Sequence, residues 1–169
     1  MRLFSVLLLC LAVATCASPI PQIRVLQPAH PDLAGRGTFE LVPPEQAVEG
    51  ELPYRERYAQ LAPLIRQGVA SRGYQAANDA QLRVYYWLAV NDTPLEFKVD
   101  QAPPSPLGPY QAIHRLRDET GTLRLRLTDT AGNVLWEGLA STGLSPSWES
   151  AELLESAVRA LVEQVPAAR

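Results

Sequence analysis

Only His114 among the two histidines falls in the part of the chain that patterns like a folded domain, and Asp118 and Glu119 follow it closely. A histidine near carboxylates is raw material for general-base catalysis, provided that a nucleophile lies in reach and an acid orients the ring. The nearest candidate is Gly143-Leu144-Ser145-Pro146-Ser147, where Ser147 occupies the place of the closing glycine of a nucleophile elbow. Pro146 suits a helix start better than a strained catalytic turn. A serine-type hydrolase using His114 is therefore the third of three readings, and His114 is expected to be a surface residue. Cys10 and Cys16 both precede the folded region, which leaves one histidine and no thiolate for a transition metal. Asp118-Glu119 lacks the spacing of a calcium loop, and Gly35-Arg36-Gly37 is too short to cradle a phosphate and follows no strand. The sequence predicts no enzyme, no catalytic residue, no metal and no cofactor.

Recognition chemistry is better represented. Arg83, Tyr85 and Trp87 alternate with apolar residues, so they share one side of a strand, and Arg124 and Arg126 do the same further on. Aromatic and arginine side chains together are the usual anchors of protein interfaces. These five residues form the candidate binding face. The competing reading covers Tyr85 and Trp87 with a proline-rich loop or the first helix and leaves the arginines solvated.

The elements that must position them follow from periodicity. Thr38 to Val42 reads as a short strand stopped by Pro43-Pro44. From Tyr54 to Arg72, Tyr58, Leu61, Leu64 or Ile65, and Val69 recur at helical spacing. Pro63 predicts a kink or a fresh helix start, and Gly73 a left-handed stop. Leu82, Val84, Tyr86, Leu88 and Val90 mark a long half-buried strand, Asn91-Asp92-Thr93-Pro94 a turn, and Leu95 to Val99 a returning strand. A proline-rich loop spans Gln101 to Pro109, and Tyr110 to Leu116 is expected to be an edge strand.

Thr122 to Thr128 and Val134 to Ser141 form a hairpin across Thr130-Ala131-Gly132-Asn133. With Asp129 facing Val134, Leu127 meets Trp136 inside and Arg126 meets Glu137 outside. A slip of one residue would set Leu125 against Glu137, so the first register is expected. Gly138 then lies on the core side and lets a helix approach closely. That helix is the last element, with Ala151, Leu154, Val158, Leu161 and Val165 on one stripe and Ala157 and Val162 widening it. Ser145 or Ser147 is expected to cap it. The fold class is α+β: a mixed or antiparallel sheet of about five to six strands, with two main helices packed on one face.

The start of the chain concerns address. Met1-Arg2, the apolar run Leu3 to Ala14 and the small residues after it have the layout of a secretory signal peptide, too short to span a bilayer. Val13-Ala14-Thr15-Cys16 resembles a lipobox, in which Cys16 becomes the acylated first residue; Thr15 stands where Gly, Ala or Ser is usual. The alternative is cleavage after Ala14 or Ala17 and a soluble periplasmic or secreted protein. Residues 1–15 are read as signal, 16–37 as anchor and Pro/Gly-rich tether with a solvated His30, and 38–166 as one domain of about 130 residues. A domain without cysteines cannot be stapled by disulfides, which favours a bacterial envelope over a small secreted eukaryotic module. Loss of residues 1–15 takes the formal charge from −3 to −4, a poor balance for binding nucleic acid. The arginine bias, with Lys98 the lone lysine, follows genome composition.

Taken in order, Thr38-Phe39-Glu40-Leu41-Val42-Pro43, Arg72-Gly73-Tyr74, Asp79-Ala80-Gln81-Leu82-Arg83-Val84, Gly132-Asn133-Val134-Leu135-Trp136-Glu137-Gly138 and Val165-Pro166 resemble the bacterial lipoprotein family called domain of unknown function 4136. Leu41 departs from it, since a tryptophan often stands there. The resemblance implies an outer-membrane lipoprotein with an α+β domain and no established activity. An envelope protein partner is expected; a small molecule or cell-wall fragment in a groove between sheet and loop is the second reading. Cys16 can be tested directly: wild type should incorporate a clickable fatty acid such as palmitate in cells, and Cys16→Ala should not. An unlabelled wild type would rule out the anchor.

Overall fold

The computed structural model describes residues 20–47, 50–98, 113–145 and 147–168, with backbone alone for 93–98 and 113–117. Cys16, the signal segment and the proline-rich loop Gln101 to Pro109 lie outside these residues. Six strands make one mixed sheet: β1 (Gln22–Gln27), β2 (Thr38–Leu41), β3 (Gln75–Ala76), β4 (Leu82–Lys98), β5 (Ile113–Thr128) and β6 (Val134–Gly143), in the order β1-β6-β5-β4-β2-β3. The helices are α1 (Pro44–Ala47), α2 (Arg55–Ser71) and α3 (Ser150–Val162).

Alternation divides the sheet into two chemical faces. Leu82, Val84, Tyr86 and Leu88 of β4 and Leu123, Leu125 and Leu127 of β5 join one buried cluster with Tyr58, Leu61, Ile65 and Val69 of α2 and Leu154, Val158 and Leu161 of α3. Both main helices therefore lie on the same face, and the α+β reading holds. The two helices run in the same direction. Their C-terminal ends are joined by Arg72 Nε donating to the Val165 carbonyl (2.8 Å) and the Tyr74 hydroxyl donating to that of Pro166 (3.0 Å).

Several elements differ from the sequence reading. Residues 22–27, expected within the tether, are β1, paired antiparallel to β6. Prolines 21 and 28 bracket that strand without entering it, so the local composition hides it. The turn expected at Asn91-Asp92-Thr93-Pro94 is absent, because β4 runs through it to Lys98. Pro94 pairs with Arg117 on a stretch where, among the described residues, β5 is the only flanking strand, and a one-sided strand tolerates proline. Ile113 to Leu116 then belong to β5 opposite β4, while Tyr110 to Ala112 fall outside the described residues. Helix α2 continues through Pro63, which is exposed, instead of restarting there. Neither Ser145 nor Ser147 caps α3: its cap is Glu149, without a side-chain hydrogen bond, and the Ser145 hydroxyl accepts from the Glu119 amide (2.9 Å).

The β5–β6 register pairs Leu127 with Trp136 and Arg126 with Glu137, as expected. Thr128, and not Asp129, faces Val134, because the register shifts between Leu127 and Thr128. Asp129 instead closes the turn by accepting from the Asn133 amide (2.8 Å) and side chain (2.9 Å). These bonds, that from the Asn133 side chain foremost, hold the Asp129 carboxyl below its ordinary range.

Gly138 bears out its expected role. A Cβ there would meet the Trp136 ring at 2.7 Å and Leu161 Cδ1 at 3.0 Å, so only glycine lets α3 settle on β6. Gly138→Ala is predicted to cost about 1–3 kcal/mol through overpacking, measured as a lower urea midpoint at unchanged slope. Gly143→Ala, where a Cβ meets nothing within 4 Å, is the matched control and should change stability little.

Candidate functional site

The face of the sheet opposite α2 and α3 brings all five predicted binding residues onto two neighbouring strands. Tyr85 is registered with Arg126, Trp87 with Arg124, and Arg83 with Thr128. The rings of Tyr85 and Trp87 are nearly parallel, with centroids 5.9 Å apart and 8° between planes. The guanidinium carbons of Arg126 and Arg124 lie 5.2 Å and 5.9 Å from the Trp87 ring, within cation–π reach. Arg83 is exposed on the same face beside Glu40 of β2, its registered neighbour, and stands apart from the stack.

Glu137 organises this arrangement. Its side chain is 6% exposed, although it sits on the face without main helices. One carboxylate oxygen accepts from Arg124, through both Nε and Nη2, and the other from Arg126 Nε at 2.8 Å. Three charges thus form a compact triad in which the acid is desolvated and the bases, 45% and 30% exposed, shield it. The sequence reading placed Glu137 opposite Arg126 but missed its burial and its second partner. The signal was legible in principle: Arg-x-Arg on one strand, set against a single acid on the next, puts both bases within diagonal reach.

Trp87 is partly covered by α1, not by the helix expected from Tyr54 to Arg72, while the proline-rich loop, the other expected cover, lies outside the described residues. Its indole Nε1 donates to the Ala47 carbonyl of α1 at 3.4 Å. Between α1 and the β5–β6 turn opens a recess of about 320 Å³ lined by Gln46, Ala47, Tyr85, Trp87, Arg126, Thr128 and Gly132. Gln46, Ala47, Thr128 and Gly132 were not anticipated, since α1 is too short to show periodicity.

The residues considered for catalysis are dispersed. The backbone of His114 is in β5, registered with Phe97, and its side chain lies outside the described residues. Glu119 receives Arg57 Nη2 at 2.7 Å, tying the start of α2 to β5, and Ser145 is occupied by the Glu119 amide. Among the described residues no three of His, Cys, Asp and Glu gather as a metal site would require.

No protein-family model matches the chain, and no curated protein matches it. Likeness is found among solved structures. The PelC dodecamer from Paraburkholderia phytofirmans is similar with a TM-score of 0.50 at 11% identity, over 88% of this chain and 99% of that one. A PDZ domain protein from Parabacteroides distasonis reaches 0.53 at 13% identity, over 95% of this chain but 40% of its own length. A minor lipoprotein from Acinetobacter baumannii, at 15% identity over 78% of this chain and 89% of that one, has a TM-score of 0.39, too low to carry an argument. Identities of this size speak to fold alone.

Removing the shared acid should cost more than removing either base. Glu137→Gln is predicted to lower stability by about 1–3 kcal/mol. Arg124→Gln, at a half-exposed site, should cost less than about 1 kcal/mol. Equal urea midpoints for the two variants would contradict the organising role of Glu137.

Proposed function

We propose that this protein is an outer-membrane lipoprotein, held at the periplasmic face by acylated Cys16, and that it acts without catalysis as an envelope adaptor or assembly factor that binds another protein. The observation that carries the reading is the Arg83, Tyr85, Trp87, Arg124, Arg126 face, two adjacent strands of aligned arginine and aromatic side chains with both main helices on the opposite side. Large flat aromatics flanked by arginine give up little conformational freedom on binding and gain much apolar contact, which is why such residues dominate interface energetics. No described helix is long and apolar enough to cross a membrane, so any membrane attachment by this part of the chain would need another device, and a lipid supplies one.

A second reading, a binder of a small molecule or cell-wall fragment, draws on the recess beside Trp87. The recess is open rather than enclosed, and a small ligand there would stay largely wet. The protein-binding reading therefore ranks first.

Arg83→Ala combined with Trp87→Ala tests it. With the acylated protein as bait in envelope fractions, the double variant should lose about tenfold or more of the captured partner while keeping its cooperative unfolding transition. Unchanged capture by a folded double variant would remove this face from the function. Light scattering of the purified domain shows whether the captured partner is a further copy of the same chain.

A further inference from the structure

The geometry points to a carboxylate as the group that the recess beside Trp87 receives, carried by an acidic segment of the partner protein laid across β4 and β5. This rests on the outward face being the binding face and names the chemistry that the face reads. Arg126 donates its Nε to Glu137 at 2.8 Å, and its two terminal nitrogens make no hydrogen bond among the described residues. The Arg126 side chain is 30% exposed. Glu137 and Trp87 thus fix a guanidinium whose far edge remains available, and that planar edge matches a carboxylate with two parallel N–H donors.

Among the described residues the recess holds this cation and no acid. The other described walls are neutral, with Tyr85 and Trp87 the two large ones. An incoming acid with a short apolar stem would have aromatic surface for the stem and Arg126 for the charge. The surroundings extend the same preference. The outward-facing strand positions among the described side chains carry Arg24, Arg83, Arg124 and Arg126 against Glu40, Asp118 and Glu137, a slight basic excess on a chain that is net −3. A basic excess on an acidic protein favours an acidic partner and disfavours contact with its other surfaces. The openness of the recess decides between sources of the carboxylate. A free small acid would leave most of its surface in water there, whereas a segment of protein covers the rim and excludes water from the ion pair.

The test uses the purified domain and three probes: a fluorescein-labelled extended peptide alternating Glu and Val, its counterpart with Gln for every Glu, and free glutarate. The Glu peptide should bind saturably and more weakly as salt rises, and the Gln peptide at least about tenfold more weakly. Arg126→Gln should lose about tenfold for the Glu peptide, and Arg126→Lys, which keeps the charge but not the fork, should fall between. Arg159→Gln, exposed on α3 on the other side of the sheet, should change binding by less than about twofold. Equal affinity for the Glu and Gln peptides, no saturable binding of the Glu peptide, or an unaffected Arg126→Gln would overturn the proposal. Glutarate competing at concentrations similar to the peptide would overturn the choice of a protein segment. If envelope capture is lost in the Arg83→Ala, Trp87→Ala variant while the peptides show no carboxylate preference, the face binds and the carboxylate reading alone fails.

Discussion

Everything on both sides of this sheet depends on the register of β5 against β6. Side chains on a strand alternate faces, so a slip of one residue would exchange the faces of one whole strand. The observed register sets Leu127 against Trp136 and Leu123 against Ala140 on the helix side, and Arg126 against Glu137 on the other. The slipped register would drive Glu137 beneath α3 without its arginines, the most expensive kind of burial. Glycine at position 138 belongs to the same solution, since Leu161 reaches β6 only where no Cβ stands in its way. One pairing thus seats the helix, closes the core and assembles the charged triad.

The triad shows how a fold can prepare a surface. Burying a carboxylate is unfavourable unless its oxygens are satisfied, and those of Glu137 are satisfied by two guanidiniums. In return the arginines lose freedom that surface arginines ordinarily keep. Their guanidinium groups are held near Trp87, and the aromatic pair lies nearly parallel at positions two apart on the same strand. A face whose long side chains are already ordered loses less entropy when a partner arrives. The stacked geometry is therefore an argument about binding as well as about stability.

Much of this was legible in the sequence because it rests on local periodicity. The alternation of β4 and β5, the α3 stripe from Leu154 to Val162 (though not Ala151, which is exposed, or Val165, which lies past the helix), the left-handed Gly73 and the facing pairs of the hairpin are all written within stretches of about ten residues. What escaped notice depends on distant partners. Strand β1 is short and framed by proline, and only β6 makes it a strand. Asn91 to Pro94 has turn composition, yet pairing with β5 keeps it extended. The burial of Glu137 required a second arginine two positions along the neighbouring strand. The cover on Trp87 came from a four-residue helix with no pattern to detect. In each case tertiary pairing overrode a local preference, as it does readily for strands.

The central claim is a division of labour: the helix-covered face holds the fold together, and the opposite face is free to bind. Measuring urea stability and partner capture together, for Leu125→Ala on one face and Trp87→Ala on the other, separates the two most directly. Leu125 is fully buried, so its truncation should remove about 2–5 kcal/mol of stability. Trp87→Ala should instead abolish most capture while costing less stability than Leu125→Ala. If Trp87→Ala destabilises the domain as much as Leu125→Ala and leaves capture by the folded fraction intact, the outward face is structural and the account is wrong.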